Sequence, residues 1–229
     1  MEEERYSRRE KFRDEVSKGF HLLKRYAKAW ENVSTSGRRG CVEASNAVLV
    51  LRELADGFRN EEGPGGSTAI NAERMGSEAL DELEASKRTM ERLLGGMKLV
   101  LESMRRVADS AMMSGAAQLP VFATLPAMSW EEMAGEVLLM HLRDYNTKIN
   151  IINSFLREDF QDRKSLSIMT SMWLTQPNVH ARRCQMIFFS FEAEVEAAEE
   201  LSASTDDTVS SSAPSGRSEA VRFLLQGKT

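Results

Sequence analysis

The chain has 229 residues, of which 41% are hydrophobic and 28% charged, and its formal net charge at pH 7 is -5. This length suits one domain with a moderate core or an elongated helical protein. The negative charge argues against direct nucleic-acid binding, which requires a basic surface to neutralise phosphates. Valine and isoleucine are sparse, and no segment alternates apolar and polar residues, so the composition predicts an all-α fold: an elongated bundle or coiled coil with a smaller C-terminal helical unit.

The compartment is predicted from what the sequence lacks. Cys41 and Cys184 lie far apart and form neither a metal-ligand spacing nor a disulfide framework. No apolar segment follows a basic stretch as in a secretory signal, and the apolar runs are too short to span a bilayer. We therefore expect a reducing, intracellular compartment and no membrane contact.

Residues 1–59 are predicted to form a helical pair. Apolar residues fall on one helical face at Phe12, Val16, Phe20, Leu23, Ala27 and Trp30. Gly37 and Gly40 are expected to break this helix, and a second stripe follows at Ala44, Val48, Leu51, Ala55 and Phe58. Residues 60–70, rich in glycine, are predicted to be a linker.

A long helix is predicted over residues 71–113, with Asn71 as its N-cap. Its apolar residues repeat every 3.5 residues and define a heptad seam of Leu83, Ser86, Met90, Leu93, Met97, Val100, Met104, Val107 and Ala111. Two interpretations stay open. The two preceding helices cover the seam in an antiparallel bundle, or the seam is left for a partner helix.

Residues 114–128 are predicted to be a linker in which Pro120 and Pro126 flank Phe122, lying across the helices as a strap. A C-terminal helical unit over 129–201 then opens with a capping box from Ser129 to Glu132. Its first helix has apolar residues at heptad spacing: Leu138, Leu142, Tyr145, Ile149, Ile152 and Leu156. Its last helix, from Val179 to about residue 201, is expected to bury Cys184, Ile187, Phe188, Phe191 and Val195.

Between these two helices, a short helix from about residue 162 leads through Leu166 and Met169 to Trp173 and Pro177. Proline cannot continue the helix, and the preceding Gln176 is biased away from helical geometry. The pattern predicts a tight corner that pins Trp173 and Leu174 into the core. The alternative is that Trp173 docks a partner.

Residues 202–229 are rich in serine and are predicted to be disordered. Ser204 to Asp207 would suit an acid-directed kinase, although such patterns are common. The segment 222–225 resembles a short cyclin-docking peptide, although an ordinary frayed amphipathic end is the simpler interpretation.

Three segments resemble the cyclin-dependent-kinase-interacting protein family. They are the signature Met172-Trp173-Leu174, Gln176-Pro177 and Val179, together with residues 120–126 and 22–31. The resemblance is best from about residue 120 to 195. It implies a nuclear adaptor that forms a hetero-oligomer. Its implied partners are a cyclin-dependent kinase, a checkpoint adaptor, a helical co-subunit and a chromatin-associated AAA+ ATPase, serving DNA replication, genome stability and ribosome maturation.

No catalytic, cofactor-binding or metal-binding residue is predicted. His21, His141 and His180 lie in separate predicted helices without ligands at metal spacing. Cys184 and His180 are spaced i, i+4, but a thiol hydrolase built on them would lack an orienting third group. The residues 63–66 lack the Lys-Ser/Thr of a phosphate-binding loop.

We therefore predict a non-catalytic interaction protein. The alternative is a coiled-coil structural subunit of a cytosolic tethering or cytoskeletal complex, which the helical pattern alone would permit. The predicted partner-binding residues belong to the seam and to the proline corner: Leu83, Met90, Leu93, Met97, Val100, Met104, Met172, Trp173, Leu174, Gln176 and Pro177.

Overall fold

The computed structural model describes residues 2–57, 66–157 and 163–210. Within these ranges the chain forms five helices and no strand, which confirms the all-α prediction. The helices are α1 (Glu2–Gly57), α2 (Gly66–Met113), α3 (Ala127–Arg157), α4 (Arg163–Thr175) and α5 (Ala181–Ser210).

The two longest helices, α1 and α2, form an antiparallel hairpin. Gly19 of α1 lies against Met104 of α2, and Gly40 lies against Leu83, so advancing along one helix means going back along the other. At 1.5 Å per residue, the 56 residues of α1 extend about 84 Å. The hairpin therefore forms the long axis of the bundle, and α1 covers the heptad seam.

The predicted break at Gly37 and Gly40 was wrong, because both residues lie inside α1. A Cβ atom on Gly37 would lie 2.7 Å from a ring carbon of Trp173. One on Gly40 would lie 3.0 Å from the backbone oxygen of Ala79. A helical glycine costs roughly 1 kcal/mol in propensity. At these two positions the missing side chain lets α4 and α2 approach α1, and that packing offsets the cost.

Several predicted boundaries also shift. The second helix begins at Gly66, so part of the predicted 60–70 linker is helical, while residues 58–65 lie outside the described part. Helix α3 begins at Ala127, two residues before its predicted start at Ser129. The last begins at Ala181 instead of Val179 and continues to Ser210, so residues 202–210 of the predicted tail are helical. The rest of the tail, including residues 222–225, lies outside the described residues.

Helix α3 completes the bundle by running antiparallel to α2. Tyr145 of α3 donates a hydrogen bond to Glu91 of α2, and Arg105 of α2 pairs with Glu131 near the start of α3. The two C-terminal helices, α4 and α5, then lie over the groove between α1 and α3. Residues of α5 contact α1 near Phe20, whereas α4 contacts α1 at residues 34–45. Buried apolar residues from all five helices belong to one contiguous core.

Candidate functional site

The corner between α4 and α5 has the tight geometry that the sequence predicts. Gln176 adopts a left-handed backbone conformation with φ of 45°, which is uncommon for a residue with a side chain. The backbone N–H of Val179 donates to the carbonyl oxygen of Gln176 at 2.9 Å. This bond closes the turn, and Pro177 stands exposed on its outside. The corner therefore fixes where α5 starts relative to the end of α4.

Trp173 is a core residue, because its side chain is fully buried. Its indole N–H donates to the carbonyl oxygen of Ser34 at 3.1 Å, and its ring lies over Gly37 of α1. The prediction that Leu174 is also pinned in the core was wrong. Leu174 is 37% exposed and Met172 is 38% exposed, since successive helical residues point about 100° apart.

Beside Trp173 lies a buried ion pair on α3. Asp144 and Lys148, one helical turn apart, have side chains that are 0% and 2% exposed. The carboxylate Oδ2 of Asp144 accepts hydrogen bonds from the Lys148 ammonium group and from the indole N–H of Trp30, the latter at 2.9 Å. The ammonium nitrogen also lies 5.9 Å from the ring centroid of Trp30 and 5.5 Å from that of Trp173. One cation is thus enclosed by a carboxylate and two indole faces.

The electrostatics of this charged centre reflect its removal from water. Burial lowers the pKa of Lys148, and the charge and hydrogen bond of Asp144 oppose that effect. Among the described residues, neither the second carboxylate oxygen of Asp144 nor the hydroxyl of Ser34 has a hydrogen-bond partner. Burying an isolated charge costs free energy, and pairing it with an opposite charge recovers only part of the hydration free energy that is lost.

His141 extends the charged centre by one turn of α3. Its Nδ1 lies 2.7 Å from the carbonyl oxygen of Val137, and its ring meets the ring of Trp30 edge to face. Because the carbonyl only accepts, Nδ1 carries the proton and donates. Burial lowers the pKa of His141, so the ring is held in its neutral form.

The sequence interpretation missed this centre. An Asp and a Lys spaced i, i+4 normally form a solvated pair on a helix surface. The heptad predicted for α3 is confirmed in part: Leu138 and Ile152 are buried, and Leu142 and Tyr145 pack against the core, but Leu156 is 55% exposed. The buried face also includes a row that the heptad did not contain: Trp130, Ala134, Val137, His141, Asp144, Lys148, Ile151 and Phe155. These residues recur in steps of three and four, a spacing that identifies one helical face. The face was not recognised in the sequence because three of its residues are polar.

The proline-framed segment does form the predicted strap. Phe122 is buried and meets the rings of Trp130 and Phe191 edge to face. The carboxylate of Glu194 on α5 accepts hydrogen bonds from the backbone N–H groups of residues 123, 124 and 125 and from the Thr124 hydroxyl. On the other side, Arg13 of α1 donates to the carbonyl oxygens of residues 121 and 122. The strap therefore joins α5 to α1.

The pKa of Glu194 reflects its contacts with the strap. Burial alone would raise the pKa of its carboxyl, but the hydrogen bonds from Thr124, Leu125 and Ala123 outweigh burial and lower that pKa. Glu194 lies in a strongly acidic part of α5, and no local sequence pattern distinguishes it from its exposed neighbours.

The predicted seam residues lie inside the molecule. Leu83, Met90, Met97, Val100 and Met104 are buried, and Leu93 is half-buried against the same core. In this conformation α1 and α3 occupy the space that a partner helix would need. The assignment of a partner to the seam stays a prediction, and it requires α2 to separate from its neighbours.

Exposed apolar side chains occur on all five helices, and two of them lie one turn apart on α5. Phe189 is 71% exposed, and Met186, one turn earlier on the same helical face, is 52% exposed. The adjacent Phe188 is buried. Because neighbouring positions on a helix cannot both face one core, the Phe188-Phe189 pair was a signal for this exposed residue that the sequence interpretation did not use.

The pair of Cys184 and His180 does not have the properties of an activated nucleophile and its base. Burial raises the pKa of the Cys184 thiol to about 11, which disfavours the reactive thiolate. His180 contributes its backbone carbonyl, which accepts a hydrogen bond from the Cys184 N–H. Within the described ranges no group of three or more His, Cys, Asp or Glu residues is placed to hold a metal ion. None of the helices in those ranges combines the length and apolar character needed to cross a bilayer.

The fold and these contacts define an all-α bundle with a charged centre inside and two neighbouring exposed apolar side chains on its last helix. No protein-family model matches the chain, and no curated protein matches it.

Proposed function

We propose that the chain is a non-catalytic nuclear adaptor of the kind found in the cyclin-dependent-kinase-interacting protein family. It would link a cyclin-dependent kinase, a checkpoint adaptor and a chromatin-associated AAA+ ATPase complex in DNA replication, genome stability and ribosome maturation. It would do so as one subunit of a hetero-oligomer with a helical co-subunit. Any ATP hydrolysis belongs to the ATPase partner.

The observation that carries this proposal is the exposed face of α5. Phe189 and Met186 present two large apolar side chains to solvent one turn apart on the same helical face. Aromatic and methionine side chains are enriched in protein interfaces. This face begins within ten residues of Pro177, the last proline of the signature that carries the family resemblance. We assign the helical co-subunit to this surface.

A second candidate is supported by the α1–α2 hairpin. Two helices of 56 and 48 residues that pack antiparallel along their length are typical of coiled-coil tethers. This observation favours a structural subunit of a tethering or cytoskeletal complex, and the same experiment distinguishes the two functions.

The test is affinity purification of the full chain from eukaryotic cells, followed by mass spectrometry, with wild type and two variants. Phe189→Asp places a charge on the α5 face without touching the core. Leu99→Asp is the matched control, because Leu99 is also largely exposed but lies on α2. We expect AAA+ ATPase subunits and replication factors to copurify with wild type and Leu99→Asp, and to be lost with Phe189→Asp.

Other outcomes contradict specific parts of the proposal. Recovery of vesicle or cytoskeletal proteins instead would favour the second candidate. Recovery of the expected partners by all three proteins would keep the adaptor function and remove the α5 face as its surface.

A further inference from the structure

Helix α4 is attached to the bundle by few side chains. Only Leu166 and Trp173 of its 13 residues are buried. Its polar attachments to α1 include the Trp173 hydrogen bond to Ser34 and a 2.9 Å contact between the hydroxyls of Thr170 and Ser45. Trp173 and Leu166 are thus the fully buried anchors of the helix, and the partly buried Met169 packs against the same core.

The surface beneath α4 consists of small side chains. Along one face of α1 these are Ser34, Gly37, Cys41 and Ser45, all buried. Gly37 accommodates the Trp173 ring, and Thr170 hydrogen-bonds the Cys41 thiol as well as Ser45. Small residues give α4 a close fit, but they contribute little apolar area to hold it in place.

The charged centre lies directly under the anchor. The Trp173 ring is the part of α4 that meets the Lys148 ammonium, and Asp144 pairs with that ammonium from within α3. Seating α4 therefore removes the ion pair from water, and the mutual attraction of two buried charges commonly fails to repay their lost hydration. Lifting α4 would return water to the pair without disturbing the α1–α2 hairpin.

We propose that α4 is a releasable latch: it lifts off α1 as a unit while the α1–α2–α3 bundle stays folded, and hydration of the Asp144–Lys148 pair drives the opening. The latch is a conformational device of the chain itself and does not depend on the proposed function. Its opening uncovers the small-residue face of α1 and the thiol of Cys41.

Cys41 supplies a reporter in the unmodified protein. The closed state protects its thiol, which is fully buried and hydrogen-bonded by Thr170. The wild-type chain would be incubated with N-ethylmaleimide over a series of low urea concentrations, and the modification of the Cys41 peptide followed by mass spectrometry. We expect Cys41 to react at least about tenfold faster than global unfolding permits, with a weak urea dependence, because local opening exposes little surface.

The role of the ion pair is tested by removing both charges. In Asp144→Asn with Lys148→Met, the asparagine oxygen still accepts from Trp30 and the methionine still packs between the two indoles. We expect Cys41 labelling to slow by about tenfold, the lower end of the effect of replacing a buried ion pair. The matched control is Glu136→Gln with Arg183→Met, which removes an exposed ion pair between α3 and α5 and should leave Cys41 labelling unchanged.

Two results would overturn the latch. Labelling of wild-type Cys41 that requires the same free energy and the same urea dependence as global unfolding would show that α4 never opens alone. Unchanged or faster labelling in a folded neutral variant would show that the ion pair does not drive opening. If the neutral variant does not fold, hydrogen exchange of the wild-type chain tests whether α4 opens alone. Amides of residues 163–175 must then exchange faster than those of residues 83–104, and equal protection contradicts the proposal.

Discussion

Replacing Trp173 by alanine tests whether the signature tryptophan is a structural anchor. The side chain is fully buried, so truncation removes its packing against Gly37 and its hydrogen bond to Ser34. Truncation of a buried tryptophan costs about 3–5 kcal/mol of unfolding free energy. We expect a cost within that range, because both the packing against Gly37 and the hydrogen bond to Ser34 are lost.

The measurement is urea unfolding of the purified chain, followed by far-ultraviolet circular dichroism. Met172→Ala is the control, since Met172 precedes Trp173 on the same helix but is partly exposed; it should cost less than about 1 kcal/mol. Trp173→Phe keeps an aromatic ring and should fall between the two. A Trp173→Ala chain that unfolds like wild type while losing a partner would refute the reasoning and identify an interface hot spot instead.

Three further predictions concern the packing, the strap and the seam. Gly37→Ala should destabilise the chain by about 1–3 kcal/mol because its Cβ would meet Trp173, whereas Gly95→Ala, which has open space around it, should stabilise α2 by about 1 kcal/mol in the same unfolding assay. Glu194→Gln should cost about 2 kcal/mol at neutral pH through weaker bonds to the strap. Since the pKa of Glu194 is lowered in the folded state, its contribution is complete above the ordinary value of 4.5 and is lost as the pH falls from there through the folded pKa, so the difference between Glu194→Gln and wild type should shrink in acid-denaturation curves. Leu93→Asp with Met97→Asp should unfold the bundle, measured as loss of helical circular dichroism, because Met97 is fully buried and its replacement carries an unpaired charge; a folded double variant would show that α2 separates readily from α1.

Periodicity predicted the helices well wherever one apolar stripe faces one core. The long α2 seam, the end of that helix at Met113 and the proline corner all follow from local rules, because each depends on residues close together in sequence. The strap was also predictable, since two prolines framing one aromatic residue indicate an extended segment with a buried side chain. Whether the seam was covered by its own chain or by a partner had been left open, and α1 covers it.

The errors arise where residues distant in sequence decide the outcome. Gly37 and Gly40 are helical because α4 and α2 approach them from far along the chain, and nothing near them in the sequence reveals that approach. Asp144 and Lys148 are buried because Trp30 and Trp173, on two other helices, enclose them. Local patterns assign the two glycines as helix breakers and the two charged residues as surface residues. Only the tertiary contacts reverse those assignments.

The closed seam changes where a partner has to bind. Exposing α2 would break the most extensive packing among the described helices, between α1 and α2, whereas lifting α4 breaks contacts made mainly by Leu166 and Trp173. A ligand shifts a conformational equilibrium only by its difference in affinity for the two states, so a partner of ordinary strength can open α4 far more readily than the hairpin. The α5 face needs no opening at all. A partner that binds α5 alone should therefore leave Cys41 labelling unchanged, whereas one that also takes the place of α4 should shield Cys41 only while it is bound.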